Sequence, residues 1–304
     1  MGNYDVYLYG MILKTHSFLL KDNFPEADTY GEFTEHYVLP GGETGTCATV
    51  LASLGCSIKM DGNYMGTDVY PLIQSFYKDK KVDLSALFFE EGYEGLQDYC
   101  FIDHTTRTPF GQFVGYFSDV IKRWNMPKEE DIKRAQIVGL DPFFQEASER
   151  VAILCHSLGK SYVTIDCPYD STLHRYASIN VLSNEFIHNT YPQADRLSLF
   201  EHYLEKSPAL TIFTQGAKEI LYGRKGETPK TFQPYQVPVI STLGAGDTFK
   251  AGCIYGLLKG MKDEELVSFA SATAAIACTT FPLPLHPPTL KAIEDLQKTR
   301  LSIY

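Results

Sequence analysis

Short apolar runs closed by polar residues recur along this chain. Residues 6–9 form one, ending at Gly10, and from about Pro127 onward the unit repeats at 136–140, 162–165, 179–182, 210–213 and 237–240. Between the runs lie stretches with helical spacing. Residues 47–54 are small and apolar and are closed by Gly55, Val69, Leu72, Ile73 and Phe76 form an i, i+3, i+4, i+7 stripe that Asp68 is placed to cap, and residues 249–258 read as a further helix. Strands alternating with helices predict an α/β protein with a parallel sheet and crossover helices.

Two regions break this rhythm. Residues 15–39 fall into short mixed pieces divided by Pro25 and Gly31, and between Gly92 and Ser118 the residues Tyr99, Phe101, Phe113 and Tyr116 lie in alternating pieces around Asp103-His104-Thr105-Thr106-Arg107. The second region reads as a hairpin, and together the two predict a small β layer set apart from the main sheet.

The polar residues that close the runs carry the first sign of a site. They are Asp141, Asp166, Asn184 after Ser183, Thr214 with Gln215, and Ser241 with Thr242. In open α/β sheets ligands bind at the carboxyl ends of the strands, so these residues are expected to line one edge.

Ser241 also opens the most informative stretch, Ser241-Thr242-Leu243-Gly244-Ala245-Gly246-Asp247-Thr248-Phe249-Lys250-Ala251-Gly252. Two glycines around an alanine permit a tight turn and leave amide N–H groups uncovered at the start of a helix, an arrangement that attracts anions. A carboxylate directly after the turn would repel a phosphate. It makes sense as a base that takes the proton of an attacking hydroxyl. A second glycine pair, Gly41-Gly42, precedes the helix at 47–54 and permits close approach of a ligand there.

Composition narrows the classes. A net charge of -10 and a pI near 5.3 disfavour nucleic acid and anionic membrane as partners. Seven widely spaced cysteines without a Cys-x-x-Cys pair point to reduced thiols, hence a cytoplasmic protein rather than a disulfide framework or zinc site. There is no apolar run of 18 residues, the start lacks the pattern of an export signal, and Gly2 is followed four positions on by Val6, so a myristoyl anchor is not expected. The chain has no Walker-type phosphate loop, no His-x-x-x-His pair and no internal repeat, and the Lys78–Lys81 region reads as a solvated helix end.

Gly244-Ala245-Gly246-Asp247-Thr248-Phe249 with Gly252, together with Gly41-Gly42 before a helix, Arg107-Thr108 in the small β layer and Thr214-x-Gly216, resembles the ribokinase-like, or PfkB, family of carbohydrate kinases over nearly the whole length. The resemblance implies a single domain over residues 1–304. It would be a three-layer α/β/α sandwich with a mostly parallel central sheet and a small β lid, the lid formed by about 15–39 and 93–118. The implied reaction is transfer of the γ-phosphoryl of ATP, with Mg²⁺, to a hydroxymethyl group of a sugar or polyol. Asp247 would be the base, and the amides of Gly244, Ala245 and Gly246 would hold the developing phosphoryl charge. Thr15, Gly41, Gly42, Thr46, Arg107 and Asp141 are the implied substrate contacts, Asn184, Thr214 and Gly216 the implied ATP contacts, and homodimerisation through the lid is a family habit.

The chain departs from the family pattern in ways that bear on the substrate. Leu13-Lys14-Thr15 stands where an Asn-x-Asp is usual, Thr46 stands for an asparagine, Ile187 stands for the glutamate of a magnesium-linked Asn-x-x-Glu, and Ser241 replaces an aspartate associated with a monovalent cation. The phosphoryl-transfer half is therefore complete, the sugar-reading half is altered, and dependence on a monovalent cation is not implied. Ribose is an unlikely substrate. The alternatives left open are a sugar- or nucleotide-binding protein without turnover, a phosphosugar kinase using Lys14 and Arg107, and a nucleoside kinase with a base slot formed by Tyr99, Phe101 and Phe113.

Overall fold

A computed structural model describes residues 3–104 and 106–301. Met1, the Gly2 discussed above and Thr105, in the turn of the expected hairpin, lie outside the described residues. In chain order the strands are β1 (Tyr4–Gly10), β2 (Leu13–Leu20), β3 (Phe33–Gly41), β4 (Ile58–Gly62), β5 (Val82–Asp83), β6 (Gln97–Ile102), β7 (Arg107–Gly111), β8 (Ala135–Leu140), β9 (Ser161–Ile165), β10 (Ile179–Leu182), β11 (Leu210–Gln215), β12 (Lys218–Gly223) and β13 (Lys230–Phe232). The helices are α1 (Glu43–Ser53), α2 (Tyr70–Tyr77), α3 (Phe113–Ser118), α4 (Glu129–Arg134), α5 (Glu146–Ser157), α6 (Thr172–Tyr176), α7 (Asn184–Thr190), α8 (Arg196–Lys206), α9 (Ala245–Leu258), α10 (Asp263–Cys278) and α11 (Leu290–Leu301).

Nine strands form the main sheet in the order β13-β12-β11-β10-β9-β8-β1-β4-β5, parallel from β5 to β11 and antiparallel beyond. Its central strands are buried on both faces, as a parallel sheet between helices must be. Val6 and Leu8 pack in one core with residues of α1, α2, α9 and α10, whereas the alternate residues Tyr7 and Tyr9 pack in another with α5 and α6. The expected mostly parallel sheet between two helical layers is therefore what the chain forms.

The second sheet has the order β3-β2-β6-β7, with β2 and β6 parallel and both outer pairs antiparallel. Alternation gives it two distinct faces. Thr15, Ser17, Asp98, Cys100, Arg107 and Pro109 face a cleft against the main body. His16, Phe18, Tyr99 and Phe101 stand on the other side, where Phe18 stacks on Phe101 at 4.8 Å and His16 on Tyr99 at 4.6 Å.

Four local expectations are corrected. Residues 237–240 are not a strand, because Pro234 and Pro238 lack the N–H a ladder needs, and only Ile240 N–H finds a backbone partner, the Cys278 carbonyl at 2.8 Å. The sheet instead ends in β12 and β13. Phe113 and Tyr116 are helical: with Phe117 they recur at three- and four-residue spacing, and Tyr116 and Phe117 pack on Trp124. Asp68 does not cap α2, whose first turn contains Pro71, but pairs with Lys14 at 3.3 Å. The fourth is a strand not expected at all: β4 is short and buried, and Lys59 and Asp61 break up its apolar run. All seven cysteines are unpaired, as expected, and no helix among the described residues is long and apolar enough to cross a membrane.

Candidate active site

Helix α9 starts from a left-handed residue. Gly244 has φ 76°, a conformation costly for any side chain, and a Cβ there would also lie 3.2 Å from the Thr46 methyl. The turn is closed by Thr248 N–H donating to Gly244 O at 2.9 Å and Ala245 N–H donating to Thr242 O at 3.2 Å. Ala245 is thereby removed from the expected set of open amides. The N–H groups of Gly244, Gly246 and Asp247 have no partner among the described residues, so two of the three expected amides are open and that of Asp247 joins them. A Cβ on Gly246 would meet nothing within 4 Å, which leaves that side open to a ligand.

The N-terminus of α1 abuts this turn. Gly42, at φ 77°, brings the chain so close to β1 that a Cβ would lie 2.6 Å from the Met11 carbonyl. That carbonyl accepts from Thr44 N–H at 3.0 Å, and the Cys47 thiol donates to the Asp247 carbonyl at 3.3 Å. Two helix N-termini thus converge on one place, each contributing partial positive charge.

Beneath them lies a buried ion pair. Asp141, at the end of β8, is completely buried. Its Oδ1 accepts from Lys250 Nζ, and its Oδ2 accepts from Met11 N–H at 3.0 Å and from the Thr44 hydroxyl at 2.8 Å. Lys250, one turn after Asp247 on α9, also donates to the Leu140 carbonyl at 3.1 Å. The network ties β8, the loop after β1, α1 and α9 together, and Asp141 does not line the cleft. Its placement corrects the expectation that Asp141 touches substrate.

A cavity of about 770 Å³ lies between the small sheet and the carboxyl edge of the main one. Of the expected site residues it is lined by Thr15, Gly41, Gly42, Thr46, Arg107, Gly244, Gly246 and Asp247. Asn184 is off its wall although Ser183 and Glu185 are on it. Thr214 donates to the Leu182 carbonyl at 3.3 Å, Gly216 occupies the turn between β11 and β12 at φ 57°, and neither lines the cavity. Tyr99 and Phe101, two thirds of the possible base slot, face away from it.

Burial pushes the Asp247 carboxyl up to about 7, the nearby Asp141 charge adds to this, and Lys250 and Arg107 oppose it. Glu43, the first residue of α1, is raised as well, by burial and then by Asp247 and Asp141. Asp166 is pushed up to about 6 by burial against the hydrogen bonds it accepts from the Ser183 amide, at 2.7 Å, and hydroxyl, at 3.0 Å. Arg107 reaches across from the small sheet to Glu185 at 3.7 Å.

Glu43, Asp98 and Lys250 are the residues that sequence reasoning passed over. Glu43 stood inside the flagged glycine stretch, and Lys250 was the lone charge in an apolar helical run. Asp98 carried no signal of its own.

A parallel sheet between helices, with a cleft at its carboxyl edge under a second sheet, is the architecture of small-molecule kinases of the ribokinase type. Residues 181–282 match the profile of the pfkB family carbohydrate kinases. The chain is 22% identical to the 5-dehydro-2-deoxygluconokinase of Clostridium beijerinckii over 289 residues, 87% of this chain and 85% of that protein. Its fold superposes on a ribokinase-type protein from Agrobacterium tumefaciens with a TM-score of 0.85, at 20% identity over 99% of each chain. For the ribokinase of Arabidopsis thaliana complexed with ribose and ATP the TM-score is 0.79, at 17% identity over 98% of this chain and 99% of that one. Residues 181–282 thus resemble the pfkB family carbohydrate kinases, and the chain as a whole has the ribokinase-like fold.

Proposed function

We propose that the protein transfers the γ-phosphoryl group of ATP to a hydroxyl of a small polyol or sugar, with Asp247 as the base. The observation that carries this is the shared wall: a half-buried carboxylate of raised proton affinity and the open amides of a helix N-terminus face one cavity. Phosphoryl transfer asks mainly for positioning and charge stabilisation, which these groups supply. Asp247 would take the hydroxyl proton, and the amides of Gly246 and Asp247 would hold the charge on the transferring oxygens. Arg107, from the small sheet, would close over the acceptor as a lid residue.

ATP is the expected donor by resemblance to the family. Mg²⁺ would neutralise phosphate charge, and it favours carboxylate oxygens, of which those of Asp166 lie on the cavity wall and could hold it. The test is ADP formation with ATP and a panel of sugars, polyols and nucleosides. It should depend on the acceptor, and kcat/KM should fall tenfold per pH unit below about 7 as Asp247 is protonated. ADP formation indifferent to every acceptor would contradict the proposal.

The outer face of the small sheet supports a second copy of this chain as its partner. Phe33 is 55% exposed, Tyr99 44% and Phe110 49%, forming one aromatic face with Phe18 and His36. Sedimentation should show a species heavier than the 34.2 kDa chain, dissociated by Tyr99→Glu. A 34.2 kDa species at every concentration would rule this assembly out.

A further inference from the structure

We propose that Asp98 is the residue that grips the acceptor's hydroxyls, and that the acceptor is a neutral polyol bearing neither carboxylate nor phosphate. This rests on the phosphoryl-transfer reading above and specifies its substrate.

Asp98 lies on β6 directly opposite Thr15 of β2, and alternation turns it, with Cys100, toward the cavity. Its carboxylate is poorly provided with donors. Oδ1 is buried without a hydrogen-bond partner among the described residues, and Oδ2 receives the Cys100 thiol at 3.8 Å, a weak donor at a long distance. The Thr15 hydroxyl lies beside it, and burial raises its proton affinity against the hydrogen bonds from Thr15 and Cys100.

A half-buried carboxylate with one buried oxygen left short of donors is costly unless something else supplies them. Polyol hydroxyls are such donors, and a carboxylate accepts two of them at once. Thr15, a neutral acceptor, would hold them more weakly. The small sheet therefore presents a hydroxyl-accepting group opposite the base that deprotonates another hydroxyl of the same molecule.

Charge argues against anionic acceptors. The cavity wall carries the carboxylates of Glu43, Asp98, Asp166, Glu185 and Asp247 and the single guanidinium of Arg107. Arg107 is already engaged by Glu185. Lys14, the other cation considered for a phosphosugar, is absent from the wall and pairs with Asp68. An acceptor carboxylate or phosphate would meet the carboxylates of Glu43, Asp98 and Asp247, with Arg107, shared with Glu185, as the one cation among the described wall residues.

The experiment measures binding rather than turnover. Wild type, Asp98→Asn and Asp98→Ala are titrated calorimetrically with neutral pentoses, hexoses, hexitols and inositols, and with charged counterparts, D-gluconate against D-glucitol and D-fructose 6-phosphate against D-fructose. At least one neutral probe should bind wild type and bind Asp98→Ala about tenfold or more weakly, the scale of a hydrogen bond to a charged group. Asp98→Asn should retain part of the affinity, and thermal stabilisation by ATP should be the same in all three, which certifies their fold. Equal affinity of a neutral probe for wild type and Asp98→Ala overturns the assignment. Tighter binding of either anionic probe than of its neutral counterpart, or binding of no neutral polyol, overturns the substrate class. Failure of the phosphoryl-transfer reading would look different: Asp98-dependent binding with no phosphorylated product.

Discussion

Replacing Asp247 by asparagine should lower turnover by about 10²–10⁴-fold, the usual contribution of a positioned general base, while leaving acceptor affinity within a few-fold of wild type. Asparagine keeps the shape and cannot take the proton. The same substitution should make the protein more stable. Asp247 has a higher proton affinity folded than unfolded, where the ordinary value is about 3.9. Its contribution to stability is therefore fully present below that value and is lost as pH rises through about 7, where the folded protein must hold an ionised carboxylate beside Glu43 and Asp141. The variant escapes this cost. Its melting temperature should exceed wild type by several degrees at pH 8, at about 2–4 °C per kcal/mol relieved, and the difference should shrink toward pH 4. Thermal unfolding of both proteins across that range measures it. A variant less stable than wild type at pH 8 would argue that the carboxylate is structural.

The second large effect concerns the pair under the site. Lys250→Met should cost about 3–5 kcal/mol of stability, because it leaves the completely buried Asp141 charge without its partner. Asp141→Asn should cost a similar amount for the converse reason. The double variant should be clearly more stable than the sum of the two losses implies, since it removes both charges together. Denaturant unfolding of the four proteins measures the coupling, and strict additivity would contradict it. Where Lys250→Met still folds, its acidic limb of kcat/KM should move to higher pH, because Lys250 is one of the charges that hold Asp247 down. The pair thus serves stability and chemistry through the same atoms.

The main sheet was legible because β8, β9, β10 and β11 are short apolar runs with polar residues at their carboxyl ends. The glycine turn was legible for a local reason, since a left-handed start to a helix leaves a mark on adjacent residues. What the sequence hid depends on distant pairings. Asp141 reads as one more polar strand end until Lys250, 109 positions away, is seen to neutralise it. Asp98 reads as an ordinary residue between glutamine and tyrosine, and only the β2–β6 register places it against Thr15. Ala245 was counted among the open amides because the turn's own hydrogen bond to Thr242 could not be read from composition.

The central claim is that Asp247 deprotonates an acceptor hydroxyl for attack on the γ-phosphoryl of ATP. Phosphorus NMR of wild type and Asp247→Asn, each incubated with ATP, Mg²⁺ and the acceptor that binds, tests it most directly. The account predicts a phosphomonoester resonance growing in step with ADP in the wild type and slower by two orders of magnitude or more in the variant. Equal rates of phosphomonoester formation in the two proteins, or ADP accompanied only by inorganic phosphate in both, would contradict it.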